Sequence, residues 1–342
     1  MDLARTLLFL YRMLAAPDRR PGEPLPLSTP EGPVEADVYR PTTDPWSVVL
    51  ILHGLALRGH RDPRLTNIGR ALAAAGVLAV APRIDAMARL HLHPPASVTI
   101  AAVLRTMLEH PDLGRPATVG VFGPSFSGSQ ALLAAAQPDL RDRIGGMLLI
   151  GAYADPRTLA HHVLDTDEAD PYGRLILLRH FLEASGELTD SLAEAIDTDL
   201  ADMGLEPEEP GLPGVLDRLP ATERERFLSL RDDREVRREL VSHLLEEHGE
   251  VIDELEILHA VPELRAPVTL LHGAHDPVIP PSESAKLRDA LHDAGRTTLM
   301  VTTALLDHGN VMAGGRAALE APSAVGAFHR WFGSVRRPER YR

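Results

Sequence analysis

The strongest limit on what this chain can fold into is a rhythm of short apolar runs separated by helix-forming segments. Seven runs read as strands: VEADVYR (34–40), SVVLILH (47–53), GVLAVAP (76–82), ATVGVFG (117–123), GGMLLIG (145–151), APVTLLHG (266–273) and TTLMVTT (297–303). Several are apolar at nearly every position, which suits strands covered on both faces in a mostly parallel sheet. Helix punctuation lies between them. DPRLTNIGRALAAAG offers Asp62 as N-cap, Pro63 at the first helical position and Gly76 as the stop. SVTIAAVLRTMLEH (97–110), FSGSQALLAAA (126–136) and SESAKLRDALHDAG (282–295) also read as helices, the last capped by Ser282 and stopped by Gly295. Strand, helix, strand in this order predicts an α/β fold around a doubly wound sheet.

The rhythm breaks at residues 155–262. No run there reads as a strand, and helical segments are interrupted at Pro171, between Gly204 and Pro213, and at Pro220. This stretch holds 28 acidic and 10 basic residues, a net charge of −18, while the rest of the 342-residue chain carries about +4. Such a shift in composition marks an insertion that covers the sheet. Its charge reads as a solvated outer face laced with i, i+4 pairs, as in RERFLSLRDDREVRREL. With a total charge of −14 and no basic stripe, nucleic acid is not expected as a partner, and the chain as a whole is a poor match for an anionic membrane.

Residues 1–30 stand apart. Leu3, Leu7, Leu10 and Leu14 recur at helical spacing, so an amphipathic helix is expected, followed by a proline-rich linker at 17–33. Between Arg5 and Arg12 only TLLFLY is continuously apolar, far short of the roughly 20 residues that cross a bilayer. The helix is expected to pack on the domain or on a second subunit, and it is the one segment through which a membrane surface could be touched. The expected location is the cytoplasm.

Chemistry concentrates at VGVFGPSFSGSQALLAAA (119–136). Glycine, any residue, serine, any residue, small residue is a cheap pattern by itself. Its context is not cheap: a buried strand ends, Ser125 sits at the junction, and a helix begins. A serine on such a strand–turn–helix is a nucleophile elbow. Strand and helix must approach closely, which calls for small residues two positions to either side, here Gly123 and Ser127. A serine hydroxyl needs a base, and the base needs an orienting acid. Asp276, in LLHGAHDPVIP, follows one strand, and His308, in LLDHGN, follows the next. Loops at the carboxyl ends of strands in an open sheet converge on one crevice. The chain has no cysteine, which removes thiol nucleophiles and thiolate metal sites, and no H-E-x-x-H. His91 and His93 form an H-x-H, read as loop residues rather than ligands. His272 and His275 read as packing or solvent-facing, Asp307 as a surface or capping residue, and His161-His162 as residues that could face a substrate.

LILHGLA (50–56), VFGPSFSGS (121–129), LLHGAHDPVIP (270–280) and DHGN (307–310) together resemble the α/β-hydrolase superfamily over residues 31–342. DPRLTNIGRALAAAGVLAVAPR and IGAYAD look like a bacterial subgroup of it without a well-defined activity. The resemblance implies an α/β-hydrolase core at 31–154 and 263–342 with a helical cap at 155–262. It implies Ser125 as nucleophile, His308 as general base and then acid, and Asp276 as its partner. It also implies an oxyanion hole from the backbone N–H groups of Phe126 and Leu55, with no cofactor and no metal. The chain departs from the family in Ser127, where glycine is usual, and in Pro124 before the nucleophile. A serine nucleophile speaks against the aspartate-based dehalogenases and epoxide hydrolases of the superfamily. The activity implied is hydrolysis of a small carboxylic ester. A thioesterase, acyltransferase or peptidase outcome of the same triad stays open, as does a non-catalytic binding protein.

Overall fold

The computed structural model describes residues 3–92, 96–166, 169–247, 249–308 and 317–341. Ten strands occur among these: β1 (Glu23–Pro24), β2 (Leu27–Thr29), β3 (Gly32–Val34), β4 (Ala36–Tyr39), β5 (Ser47–Ile51), β6 (Val77–Pro82), β7 (Val119–Pro124), β8 (Ile144–Ile150), β9 (Val268–Gly273) and β10 (Thr298–Thr303). Eight of them form one sheet in the order β1-β4-β6-β5-β7-β8-β9-β10, and β2 and β3 form a separate hairpin. From β6 to β10 every pairing is parallel; β4 and β1 add an antiparallel edge. The prolines at 17–33, read above as a linker, do not keep this segment out of the fold. Pro24 sits in the edge strand β1, where a missing backbone donor is tolerated.

The helices outside the insertion are α1 (Leu3–Leu14), α2 (Pro63–Ala74), α3 (Asp85–Ala88), α4 (Ala96–Glu109) and α5 (Ser125–Ala135) before it. The insertion between β8 and β9 holds α6 (Pro156–Asp165), α7 (Pro171–Ala184), α8 (Asp190–Leu205), α9 (Leu212–Arg218), α10 (Ala221–Asp232), α11 (Arg234–Glu247) and α12 (Gly249–Asp253). After it come α13 (Pro281–Asp293) and α14 (Ala317–Arg336). The apolar runs are continuous because each strand serves two cores. Val49, Ile51, Ala79 and Phe122 pack with Phe9, Trp331 and Phe332 under α1, α2 and α14. Val48, Leu50, Val80 and Val121 pack with Ile100, Leu104 and Leu132 under α4 and α5, a core that runs on into the insertion.

Local signals hold at α2, where the Asp62 carboxylate accepts from the Arg64 amide, Pro63 opens the helix and Gly76 stops it at φ +87°. At α13 the stop holds, with Gly295 following the C-cap Ala294 at φ +68°, but the start does not: Pro281 opens the helix and Pro280 is its N-cap, so Ser282 lies inside the first turn and caps nothing. The ion pairs of the insertion also differ from expectation. Arg179–Glu183 is an i, i+4 pair, but Arg179–Asp197, Arg218–Glu194 and Arg231–Asp199, at 2.6–3.0 Å, tie one helix to another, and Arg226–Glu187 ties α10 to the loop between α7 and α8. Arg237, inside the run read as solvated, is fully buried and donates to the carbonyls of Leu164 and Arg231. Periodicity in α1 gives the helix but not its inward face: Leu3, Leu7 and Leu14 are exposed, while Thr6 and Phe9 are buried.

The site is positioned by one crossing of the chain. From β5 the chain runs through α2 to β6 on one side, then returns through α4 to β7 on the other. The loops after β5 and β7 therefore leave in opposite directions and open a crevice between neighbouring strands.

Candidate active site

Ser125 occupies the turn between β7 and α5 with φ +53°, a left-handed backbone that a non-glycine residue rarely adopts. The turn is held by close packing behind it. A Cβ on Gly123 would lie 2.6 Å from the Gly128 Cα, and a Cβ on Gly128 would lie 2.5 Å from the Gly123 oxygen. The close approach required of an elbow is thus met by Gly123 and Gly128. Ser127, assigned that role from the sequence, points elsewhere: its hydroxyl donates to the Pro124 carbonyl at 2.7 Å. The glycine is displaced by one position, so the serine does not tighten the turn.

Strands β7, β8, β9 and β10 are successive neighbours, so the loops after them stand side by side. The loop after β9 carries Asp276, which is 7% exposed. Its Oδ1 accepts from the amides of Val278 and Ile279, both at 2.9 Å, and its Oδ2 accepts from His308 Nδ1 at 2.8 Å. Burial alone would raise this carboxyl, but the hydrogen bond and charge of His308 and the two amides outweigh it and hold it below its ordinary value. His308 Nε2 lies 2.8 Å from Ser125 Oγ, in position to accept its proton.

β10 is three strands from β7, about 14 Å at normal strand spacing, so His308 must reach back across the sheet edge. Two residues allow it. Gly151, at the end of β8 with φ +61°, leaves the path clear, since a Cβ there would lie 3.2 Å from Asp276 Oδ2 and 3.6 Å from His308 Nδ1. Glu320 of α14 pins the start of the loop by accepting from the Thr303 hydroxyl and the Ala304 amide at 2.7 and 2.6 Å.

Leu55 and Phe126 both line the cavity at Ser125. Phe126 is in the first turn of α5, where amides have no carbonyl four residues back to bond. The Leu55 loop is set by His53, whose Nε2 accepts from the Ile84 amide at 3.0 Å, leaving Nδ1–H to donate to the Gly54 carbonyl at 2.7 Å. Burial depresses the His53 pKa to about 4, so the ring is neutral, as this arrangement requires. His272, 3.6 Å from Asp276 Oδ2, is buried too; it bonds Ser284 Oγ and the Ile279 carbonyl and is held down in pKa chiefly by burial.

The cavity beside Ser125 is about 70 Å3. Its floor is Leu55, Phe126 and Tyr153 of the core, and its roof is Leu159 and Val163 of α6, Ile176 and Leu177 of α7 and Ile252 of α12. None of its described lining residues is charged. The Tyr153 hydroxyl accepts from Gln130 and donates to the Leu255 carbonyl at the end of the insertion, so it is occupied structurally, and burial raises its pKa. Glu283 of α13, 1% exposed, accepts from the amides of Ala154 and Asp155 and from Thr158, fixing the start of the insertion to the loop that bears Asp276.

Ser125, Asp276 and His308 are brought together, with Leu55 and Phe126 beside them. His161 and His162 lie on α6 but are not in the cavity lining. His272 is packed inside and His275 is exposed, while Asp276, not the adjacent Asp307, holds His308. His93, Gly309 and Asn310 lie outside the described residues. Sequence reasoning missed His53, Gly151, Glu283 and Glu320. His53 stood in view in LILHGLA; the two glutamates look like any acidic residue near a helix start.

No family model and no curated protein matches the chain. Solved structures do match. Pyrococcus horikoshii acylaminoacyl peptidase is 13% identical, covers 91% of this chain and 40% of its own length, with a TM-score of 0.51. Porphyromonas gingivalis dipeptidyl peptidase 4 is 13% identical, with 94% of this chain and 37% of that one covered and a TM-score of 0.52. A Pyrococcus furiosus esterase is 12% identical, with 90% of each chain covered and a TM-score of 0.50. This chain thus spans well under half the length of the two peptidases. At these identities the likeness is one of fold.

Proposed function

We propose that this chain, an α/β-hydrolase by fold, is a serine hydrolase that cleaves a small uncharged carboxylic ester. The observation that carries the reading is the unbroken hydrogen-bonded line Ser125 Oγ, His308 Nε2, His308 Nδ1, Asp276 Oδ2, with 2.8 Å at both links. His308 takes the Ser125 proton as Oγ forms a bond to the substrate carbonyl carbon. The carbonyl oxygen becomes an oxyanion facing the amides of Leu55 and Phe126, an interaction stronger in the transition state than before it. His308 Nε2–H then protonates the departing alkoxide, leaving an acyl-Ser125. Water repeats the sequence: His308 accepts its proton, the new oxyanion collapses, and Ser125 regains its hydrogen as the acid leaves. Asp276, kept ionised, stabilises the imidazolium that forms twice.

The cavity speaks for the substrate class. Apolar walls favour an aliphatic acyl group, and no carboxylate stands in the lining to receive the ammonium of a free peptide. Its volume is below the roughly 150 Å3 of a dry cavity that admits benzene, which favours acyl groups of a few carbons.

The test is intact mass after fluorophosphonate treatment of the wild type and of Ser125→Ala. One adduct on the wild type and none on the variant is expected, with hydrolysis of short p-nitrophenyl esters lost in parallel. Equal labelling of both proteins, or a folded wild type that takes no adduct, would overturn the reading.

A further inference from the structure

Helix α1 is docked on one side and uncovered on the other. On the inner side Phe9 is fully buried against Phe328 and Phe332, with ring centroids 5.3 and 5.4 Å apart, and Thr6 shares a hydrogen bond with His329. The outer side presents Leu3, Leu7, Leu8, Tyr11 and Leu14, each 39–58% exposed. Among the described residues, nine large apolar side chains are exposed to this degree or nearly so, and five of them are on this one helix of 12 residues. Singly scattered apolar residues need no explanation, but a cluster on one element does. The inner contacts are already made, so this face is not waiting to close onto its own domain.

Charge selects the occupant. Within a chain of net charge −14, α1 has no acidic residue; Arg5 lays its guanidinium over the Trp46 ring of the domain, and Arg12 is exposed at the border of the apolar face. A second copy joined about a two-fold axis would meet the same patch, bringing the Arg12 side chains of both copies to one apolar contact with no carboxylate on either helix to pair them. An anionic surface meets Arg12 favourably. Leucines on one face with an amphipathic tyrosine among them and an arginine at the border are what a helix lying in a lipid interface requires. We propose that α1 is a docking face for an anionic lipid bilayer, with Leu3, Leu7 and Leu14 entering the acyl boundary and Arg12 among the headgroups. The docked Phe9 orients the helix, so the whole domain would sit on the membrane in one pose. This inference does not depend on the activity of Ser125.

The experiment is flotation of the full chain with phosphatidylcholine vesicles, with and without a minority of phosphatidylglycerol, at low and high salt. The variants are Leu7→Glu with Tyr11→Glu, and separately Arg12→Glu; all three residues are exposed, so thermal unfolding should match the wild type. Expected is co-flotation with the anionic vesicles, weaker at high salt, and a drop on the order of tenfold or more in the double variant. Arg12→Glu should reduce binding to anionic vesicles alone. Absence of flotation in the wild type, or flotation indifferent to Leu7 and Tyr11, overturns the proposal. So does a dimer in sedimentation velocity that the double variant dissolves, because a second copy would then be the occupant.

Discussion

The sheet and the helical insertion meet over Ser125 and are built on different principles. The sheet places each member of the Ser125–His308–Asp276 line through backbone geometry: a strained turn for Ser125, two amides for Asp276, a glycine gap that lets His308 through. The insertion contributes no group to that line. It supplies apolar side chains above the cavity and holds its own helices with arginine–carboxylate pairs on a strongly acidic surface. Under the proposed function, the reaction depends on the part held by backbone geometry and the substrate on the part joined mainly by side chains. Changes in the first should alter whether the reaction runs, and changes in the second should alter what it runs on.

The sharpest break would come from Asp276→Asn. It keeps the shape of the site but favours the wrong His308 tautomer, so kcat should fall by a factor on the order of 10^4 in ester hydrolysis. A change of less than tenfold would remove Asp276 from the proposed mechanism. Next comes the elbow. Gly128→Ala forces a methyl toward the Gly123 carbonyl and should cost about 1–3 kcal/mol in urea unfolding, with activity reduced. Ser127→Gly should cost less, about 1 kcal/mol, for the lost bond to Pro124. If the two came out reversed, the close approach would have been assigned to the wrong residue. On the insertion side, Leu177→Ala should leave fluorophosphonate labelling of Ser125 intact and move the preferred acyl chain longer, by about tenfold or more per added methylene.

Acid should separate the two regions by sign. His53 is neutral when folded, with its pKa near 4, whereas an unfolded histidine titrates near 6.5. Its contribution to stability is therefore present above about pH 6.5 and lost as the pH falls to about 4, up to roughly 3 kcal/mol. His53→Gln should flatten that slope in denaturant titrations, whatever it does to stability at pH 7. Asp199, a buried residue of α8, behaves oppositely. Burial raises its carboxyl despite the charge of Arg231, so its contribution is present below the ordinary carboxylate value and lost as the pH rises through its own. Asp199→Asn should remove that small opposing term.

What could be read from the chain follows from how local each requirement is. Asp62-Pro63 and Gly76 define a helix by contacts within a few residues, and those survived. The seven strand-like runs were legible because burial on both faces removes polar residues from consecutive positions. The line Ser125, Asp276, His308 was legible because each residue ends a strand, and parallel strands present their ends together. Other features depend on partners far away in sequence. Whether Ser127 or Gly128 meets Gly123 is decided by the rotation of α5 on β7. Which stripe of α1 turns inward is decided by Phe328 and Phe332, more than 300 residues away by the numbering.

By itself, then, the sequence determined the layered α/β architecture, the acidic helical insertion and the three residues that could carry acyl transfer, because period, punctuation and strand ends are short-range properties. The tertiary structure alone decided that Gly151 clears the path for His308, that His53 and Glu283 hold the loops around the cavity, that the roof is uncharged and that the leucines of α1 face outward. Each of those is a matter of distance between segments remote along the chain, and distance is set by packing, which no local pattern encodes.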